Sequence, residues 1–432
     1  MKAILKSGGY VRWLMIILFA TGVILNYIDR NALGIMSKEI INDLGITAKE
    51  YSYITGAFQL AYTIFQPIVG WFVDVIGLRI GFAIMVVIWS VMCLLHAGAG
   101  AWIHLAILRF VMGGAESVVA PANAKVISSW FPKKERAIAN GWSMVGFSLG
   151  AMIAPPLIYS IHQIGGWQLA FLIPGSLGVI WAGIWLFFFN EPSNSRFISE
   201  AEKKYILSDQ DEGEVQQNKN ILIAIKKVVS KKRFYGIAIP AFLAEPAWAA
   251  VNFWVPYYLL TERGMQLKEM AMFVWIPFLA ADFGGLSSGY FSRMLNKRFG
   301  LSRINAACTT YLGAAFFMLS MAFASLTESP YAAIALIAIG AWGHQMLSAM
   351  LTIQVIENFE GKEVSTVNGL RGSSAWIASF LFTIIVGQFV NSIGFKPFFI
   401  TMGFLDIVGA LIMCSLLYQR NQKRFTDDTM KH

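Results

Sequence analysis

The chain has 432 residues, 56% of them hydrophobic and only 14% charged, and carries a formal net charge of +9. Soluble domains hold about 25% charged residues, so a water-soluble globular fold is excluded. The positive excess would suggest nucleic acid in a soluble chain; here it sits in loops, and no nucleic-acid partner is expected.

Charge gathers in short clusters between long uncharged stretches. A helix needs ~20 mostly apolar residues to cross a bilayer core, and unpaired backbone groups cannot face lipid, so the stretches are helices. Lys2, Lys6 and Arg12 precede the first apolar run, which continues to Tyr27 with no small-residue cleavage site after it. It is read as a retained helix, not a signal peptide. In chain order the predicted spans are 13–33, 51–73, 80–99, 102–124, 139–162, 168–190, 235–260, 270–292, 303–324, 329–355, 368–391 and 397–418. The predicted fold class is therefore all-α integral membrane, with twelve transmembrane helices.

The predicted domains are a six-helix bundle over 1–190, a polar central loop over 191–234, a second six-helix bundle over 235–418 and a tail over 419–432. Within the loop, Ile221 to Val229 reads as an amphipathic surface helix, and the basic residues around it are expected to meet anionic lipid heads. Lys and Arg concentrate on the side that holds both termini. Only Lys38, Lys49, Arg263, Lys268 and Lys396 fall on the other. By the positive-inside rule both termini are cytoplasmic.

An internal repeat organises the chain. Lys134-Glu135-Arg136-Ala137-Ile138-Ala139-Asn140-Gly141 is echoed by Lys362-Glu363-Val364-Ser365-Thr366-Val367-Asn368-Gly369 at an offset of 228 residues. Both copies follow the fourth helix of a six-helix set. Two pseudo-symmetric halves of like orientation are implied, with a substrate site between them near the midplane and rocking about it.

Charge inside the membrane is expensive, faces the interior and usually has a function. The first span carries Asp29 and Arg30. The fourth carries Arg109 and Glu116, seven residues and ~10 Å apart on one helix face. Two readings of these groups stay open. Asp29 and Arg30 lie either in the interior or at the interface, and Arg109 with Glu116 is either functional or a mutually neutralising structural pair. An arginine fork suits a substrate carboxylate. A desolvated carboxylate can load and release a proton near neutral pH. The seventh span offers Glu245, Trp248 and Asn252 at helical spacing, polar groups beside an indole that suit a sugar ring or, equally, an aromatic packing stripe. Later spans add His344, Gln345, Ser374 and Trp376, with His344 either a proton group or a satisfied interior histidine. Asp282 and Asp406 are intramembrane without an assigned role. Cys93, Cys308 and Cys414 form no metal or disulfide pattern. No enzyme constellation and no metal site emerges, and Gly146 to Gly150 reads as an ordinary helix contact.

The stretch Gly70-Trp71-Phe72-Val73-Asp74-Val75-Ile76-Gly77-Leu78-Arg79 resembles the loop signature of the major facilitator superfamily. That resemblance implies a cytoplasmic gate latch using Gly70, Asp74, Gly77 and Arg79, with Val75 standing where a basic residue is usual. Asn26-Tyr27-Ile28-Asp29-Arg30 and Arg109-x-x-x-Gly113-Gly114-Ala115-Glu116, followed by Pro121, resemble the anion:cation symporters within it. Leu243-Ala244-Glu245-Pro246-Ala247-Trp248, Gly343-His344-Gln345 and Ser374-Ala375-Trp376 resemble bacterial hexuronate transporters, which take up glucuronate and galacturonate.

The resemblance implies that Arg30, Tyr27 and Tyr62 hold a sugar acid. Asp29 and Glu116 would carry protons, with Arg109 coupled to Glu116. Phe147 and Ser148 stand where related symporters often place a substrate-binding glutamine. The seventh span lacks the arginine of glutamate-type members, which favours a monocarboxylate. The expected protein is thus a proton-coupled hexuronate symporter of the bacterial inner membrane, with no cofactor. Its expected partners are the bilayer, protons and a small sugar acid, and its unit is the monomer. The alternatives are a galactonate or glucarate carrier, sodium coupling, or a membrane sugar-acid sensor.

Overall fold

The computed structural model describes residues 10–132, 135–207, 221–359 and 361–419. In chain order the helices are α1 (Val11–Ile35), α2 (Ser37–Leu44), α3 (Ala48–Ile76), α4 (Leu78–His96), α5 (Trp102–Glu116), α6 (Val119–Trp130), α7 (Arg136–Phe188), α8 (Glu200–Leu207) and α9 (Ile221–Val229). They continue as α10 (Lys232–Ala249), α11 (Val255–Thr261), α12 (Leu267–Phe273), α13 (Ile276–Phe299), α14 (Arg303–Phe317), α15 (Leu319–Ala324), α16 (Pro330–Asn358), α17 (Gly361–Ile393) and α18 (Lys396–Leu417). No strand occurs among the described residues.

Among these residues ten helices are long and apolar enough to cross a membrane, and eleven if the bent pair Ala48–Gln66 and Ile68–Ile76 is one span. Large apolar side chains such as Leu286 (77% exposed) and Phe187 (69%) stand on the outside, a surface suited to lipid and costly in water. The chain is a multi-pass membrane protein. The 53-residue α7 would extend ~80 Å if straight, but it leaves helical geometry at Gly165 and Gly166. Gly166 has φ 80°, a conformation that side chains oppose.

Helix ends follow ordinary cap chemistry. Thr47 and Glu50 form a capping box at the start of α3, and the Ser302 hydroxyl accepts from the Asn305 N–H at the start of α14 (3.2 Å). These caps satisfy backbone donors that lipid cannot.

The residues form two compact units, the first comprising Met1–Gln217, Asn252–Trp275 and Phe380–Ser392. Small residues set its helix contacts. A Cβ added at Gly146 would lie 2.8 Å from the Ala20 carbonyl, and one at Gly150 2.9 Å from the Ile24 carbonyl, so α1 and α7 meet backbone to backbone. Gly113 admits α5 equally close to the Phe58 carbonyl of α3. Gly150→Leu should therefore destabilise the protein by about 1–3 kcal/mol, whereas Gly141→Leu, where an added Cβ meets nothing within 4 Å, should not. Melting of the two variants in detergent checks this, and equal melting temperatures would contradict it.

In the same unit, the Tyr51 hydroxyl donates to the Phe253 carbonyl (2.9 Å) and Gln59 donates to Thr383 (2.9 Å). Gly387 lies directly against Ser52.

The second unit comprises Asn218–Val251, Ile276–Ser379 and Ile393–His432. Its α13 and α16 touch where Gly284 meets the Trp342 carbonyl. Between α10 and α11 runs a π-helical turn, Ala250–Trp254. Such single-turn bulges insert a residue and rotate the rest of the helix.

The central loop folds onto its neighbours. Buried Arg12 binds Glu202 of α8 (2.9 Å) and Glu135 (2.9 Å), and Tyr205 donates to Glu135. The helix expected at Ile221 to Val229 is present as α9, but Lys227 and Lys231 reach Glu363 (2.9 and 2.7 Å). Hydrogen bonds from Lys231 and then Lys227 hold the Glu363 carboxyl below its usual range. Glu135 and Glu363 occupy the same position of the sequence repeat. Glu135 takes Arg12 at the start of α1, and Glu363 takes Lys231 just before α10 together with Lys227 of α9.

Candidate functional site

The first unit concentrates its buried charge on α1 and α5. Arg30 is 8% exposed. Its Nε donates to Glu116 Oε2 at 2.9 Å and its Nη2 to Asn26 Oδ1 at 3.3 Å. Three aromatic rings surround the guanidinium: Tyr27 at 4.8 Å, Tyr62 at 5.3 Å and Phe58 at 5.4 Å. Such rings attract a desolvated cation by ~2 kcal/mol each or less. Tyr27 is itself braced edge-on by Phe147 at 5.5 Å, which fills the position where related symporters often carry glutamine.

Arg109 is buried, as are Asp29 and Glu116. Arg109 does not pair with Glu116. Its Nη1 donates to the Arg30 carbonyl at 3.2 Å, while Glu116 takes Arg30 across the helix interface. Arg109 and Glu116 nonetheless act on one another electrostatically. Asp29 Oδ2 lies near Gly178 of α7, and its carboxyl interacts with the Cys93 thiol of α4. Phe58, Asn26 and Gln59 were missed as candidates. Phe58 and Tyr62 stand one helical turn apart, the signal that pairs them.

In the second unit, Trp248 stacks on His344 with ring centroids 5.2 Å apart and planes 2° from parallel, and meets Phe278 edge-on at 5.8 Å. Gln345 lies against Gly285 of α13. The Ser374 hydroxyl donates to the Ala238 carbonyl at 3.2 Å and to the Arg371 carbonyl at 2.8 Å. Trp376 is half-buried on α17 and Glu245 half-buried on α10. Asn252 is four residues beyond Trp248. It lies in the π turn and groups with the first unit, where its carbonyl approaches Gly34 of α1.

The loop signature joins α3 to α4 at Gly77, whose φ of 93° requires glycine. Asp74 pairs with Lys125 of α6 at 2.9 Å, 56% exposed, and an exposed pair of this kind contributes at most ~1 kcal/mol. Arg79 Nε donates to the Leu186 carbonyl at 3.1 Å. Gly70 lies against Pro121.

Comparison with known proteins agrees with this construction. Residues 19–326 match the family model of the Major Facilitator Superfamily. The chain is 40% identical over 410 residues to the hexuronate transporter of Escherichia coli strain K12, covering 95% of each. It is 39% identical over 325 residues to the galacturonate transporter of Dickeya chrysanthemi, covering 75% of this chain and 94% of that one. Among solved structures, the fold is shared with a bacterial homolog of the human lysosomal transporter Spinster in its inward-facing, occupied conformation. The TM-score is 0.73 at 17% identity, covering 95% and 97% of the two chains. The chain belongs to the major facilitator superfamily.

Proposed function

We propose that the protein is a proton-coupled symporter of hexuronates such as glucuronate and galacturonate, working by alternating access in a bacterial inner membrane. The observation that carries this reading is the Arg30–Glu116 ion pair inside its aromatic cage. With Glu116 ionised, its carboxylate occupies the guanidinium fork that a sugar-acid carboxylate needs. A proton on Glu116 removes that competitor and frees the fork. Proton and sugar acid then favour one another's binding, and by linkage each does so to the same degree. Arg109 holds the Arg30 backbone carbonyl and so fixes where the fork points. Asp29, fully buried beside the uncharged Cys93 thiol, is a second group that a proton neutralises. The Trp248–His344 stack presents a flat aromatic face suited to the CH face of a sugar ring. The names of the relatives support sugar acids as the substrate class.

Counted as two crossings broken at Gly165 and Gly166, α7 brings the spans to twelve: α1, α3, α4, α5 with α6, the two parts of α7, α10 with α11, α12 with α13, α14 with α15, α16, α17 and α18. The Lys and Arg bias supports an orientation with both termini in the cytoplasm. The protein acts as a monomer on this reading.

In sodium-free proteoliposomes, an inward proton gradient should drive labelled glucuronate above its equilibrium level, and collapsing the gradient should release it. A panel of glucuronate, galacturonate, galactonate and glucarate as competitors ranks the substrates. Uptake indifferent to the proton gradient would rule out the coupling, and absence of any net flux would favour a sensor.

A further inference from the structure

The second unit holds an ionisable cluster that the carboxylate-binding pair does not use. Asp406, on α18, is fully buried, and neither of its carboxyl oxygens has a hydrogen-bond partner. Its surroundings are well defined. Gly409, one turn further along α18, packs on Pro240 of α10 and within 3.6 Å of the Tyr311 hydroxyl of α14, measured from an added Cβ. Tyr311 in turn donates to the Pro240 carbonyl at 3.4 Å. Asp406 lies three residues from Gly409, and Glu245 five residues from Pro240. At 1.5 Å per residue these offsets are ~4.5 and ~7.5 Å. Because α10 and α18 are consecutive-end helices of opposite direction in the twelve-span topology, both offsets run the same way, and the two carboxyls stand at nearly one level.

The charged and titratable groups around Asp406 are few. Glu245 on α10 acts on it electrostatically, as does the Tyr311 hydroxyl on α14. Arg371 on α17 acts on Glu245 and Tyr311, and its Nε is bound to Asn368 at 3.1 Å. Helix α15, Leu319–Ala324, contributes no ionisable side chain. The cluster therefore sets two carboxyls against one guanidinium. In the first unit the balance is even, with Asp29 and Glu116 against Arg30 and Arg109. A buried carboxylate without a cation or donor is strongly disfavoured as the ion, and the cheapest supply of the missing positive charge is a proton.

We propose that Asp406, with Glu245 as its half-exposed partner, is a second proton-binding site of this carrier, separate from the Arg30–Glu116 site and located in the other unit. The inference rests on the proton-coupled reading of the protein. Glu245 connects the buried acid to solvent, and Arg371 draws Glu245 towards its ionised form when the proton moves to Asp406. Sugar-acid binding does not require Asp406 itself.

The test is the number of protons taken up per sugar acid in sodium-free proteoliposomes, read with an entrapped pH dye beside labelled glucuronate. Asp406→Asn should bind glucuronate and exchange it across the membrane, yet take up one proton fewer per cycle. At an imposed difference of one pH unit, its accumulation should fall about tenfold, the factor one coupled proton supplies. Asp406→Glu should restore the ratio. If Asp406→Asn fails to insert, Asp406→Ser, smaller and equally neutral, gives the same readout. Wild-type vesicles that take up no protons with the sugar would overturn the coupling reading and this site together. Wild-type uptake with an unchanged ratio in the neutral variants would overturn this site alone.

Discussion

Arg30→Ala should lower sugar-acid affinity by more than about 100-fold, because removing one partner of a buried charge pair typically costs 2–5 kcal/mol. The guanidinium sits among the rings of Tyr27, Phe58 and Tyr62, and the second guanidinium nearby, Arg109, is held to the Arg30 carbonyl. Arg30→Lys keeps the charge but loses the planar fork and should recover only part of the affinity. The single alanine variant leaves Glu116 buried without its partner. The double variant Arg30→Ala with Glu116→Gln removes that strain and should bind no better. Equilibrium binding in detergent, with melting temperatures as a check on folding, decides the matter. Wild-type affinity in both variants would end the assignment of Arg30.

Glu116→Gln should separate coupling from binding. Glutamine mimics the protonated carboxyl and leaves the Arg30 fork open at every pH. Wild-type affinity should weaken as pH rises and Glu116 ionises, by up to about tenfold per pH unit for one linked proton. Competition sets the sign: the ionised carboxylate holds Arg30 at 2.9 Å, so losing the proton loses the substrate site. The variant should show a flattened profile. It should exchange external for internal glucuronate, which needs no net proton step, and lose most of its gradient-driven accumulation. Full accumulation by Glu116→Gln would show that this carboxyl carries no coupled proton.

The spans were legible because lipid imposes one demand everywhere: apolar side chains outside and backbone bonds closed within each helix. Contacts between distant helices were not legible. Arg109 and Glu116 share a face at seven residues' spacing, which suggested a pair, yet Glu116 bonds to Arg30 because α1 brings the guanidinium closer than the side chain two turns away on α5. The stripe of Glu245, Trp248 and Asn252 assumed an unbroken α-helix, and the π turn at Ala250–Trp254 is a feature that helical spacing alone does not reveal. The break between α5 and α6 at Ser117 and Val118 and the short α2 carry no hydropathy signal at all. The two copies of the sequence repeat share one feature that the sequence does not show: Glu135 and Glu363 each bind a cation. Asp406 had no role as an isolated acid, and it acquires one only beside Pro240, Tyr311 and Glu245.

The seam where α3 meets Phe253, Thr383 and Gly387 also has a kinetic meaning. Its polar part includes hydrogen bonds from Tyr51, Gln59 and Gln388, each contributing roughly 1 kcal/mol net. Beside them Ser52 meets Gly387, and Tyr51 and Phe58 meet the rings of Trp254, Tyr257 and Phe253. Swinging a two-state population from 1:99 to 99:1 takes about 5.5 kcal/mol, and micromolar binding of a ligand releases about 8 kcal/mol. On the alternating-access reading proposed above, these contacts are what each binding event has to open. Their hydrogen bonds, roughly 3 kcal/mol in all, lie within the free energy that micromolar binding releases, so on that reading the binding of cargo and protons sets the pace of turnover.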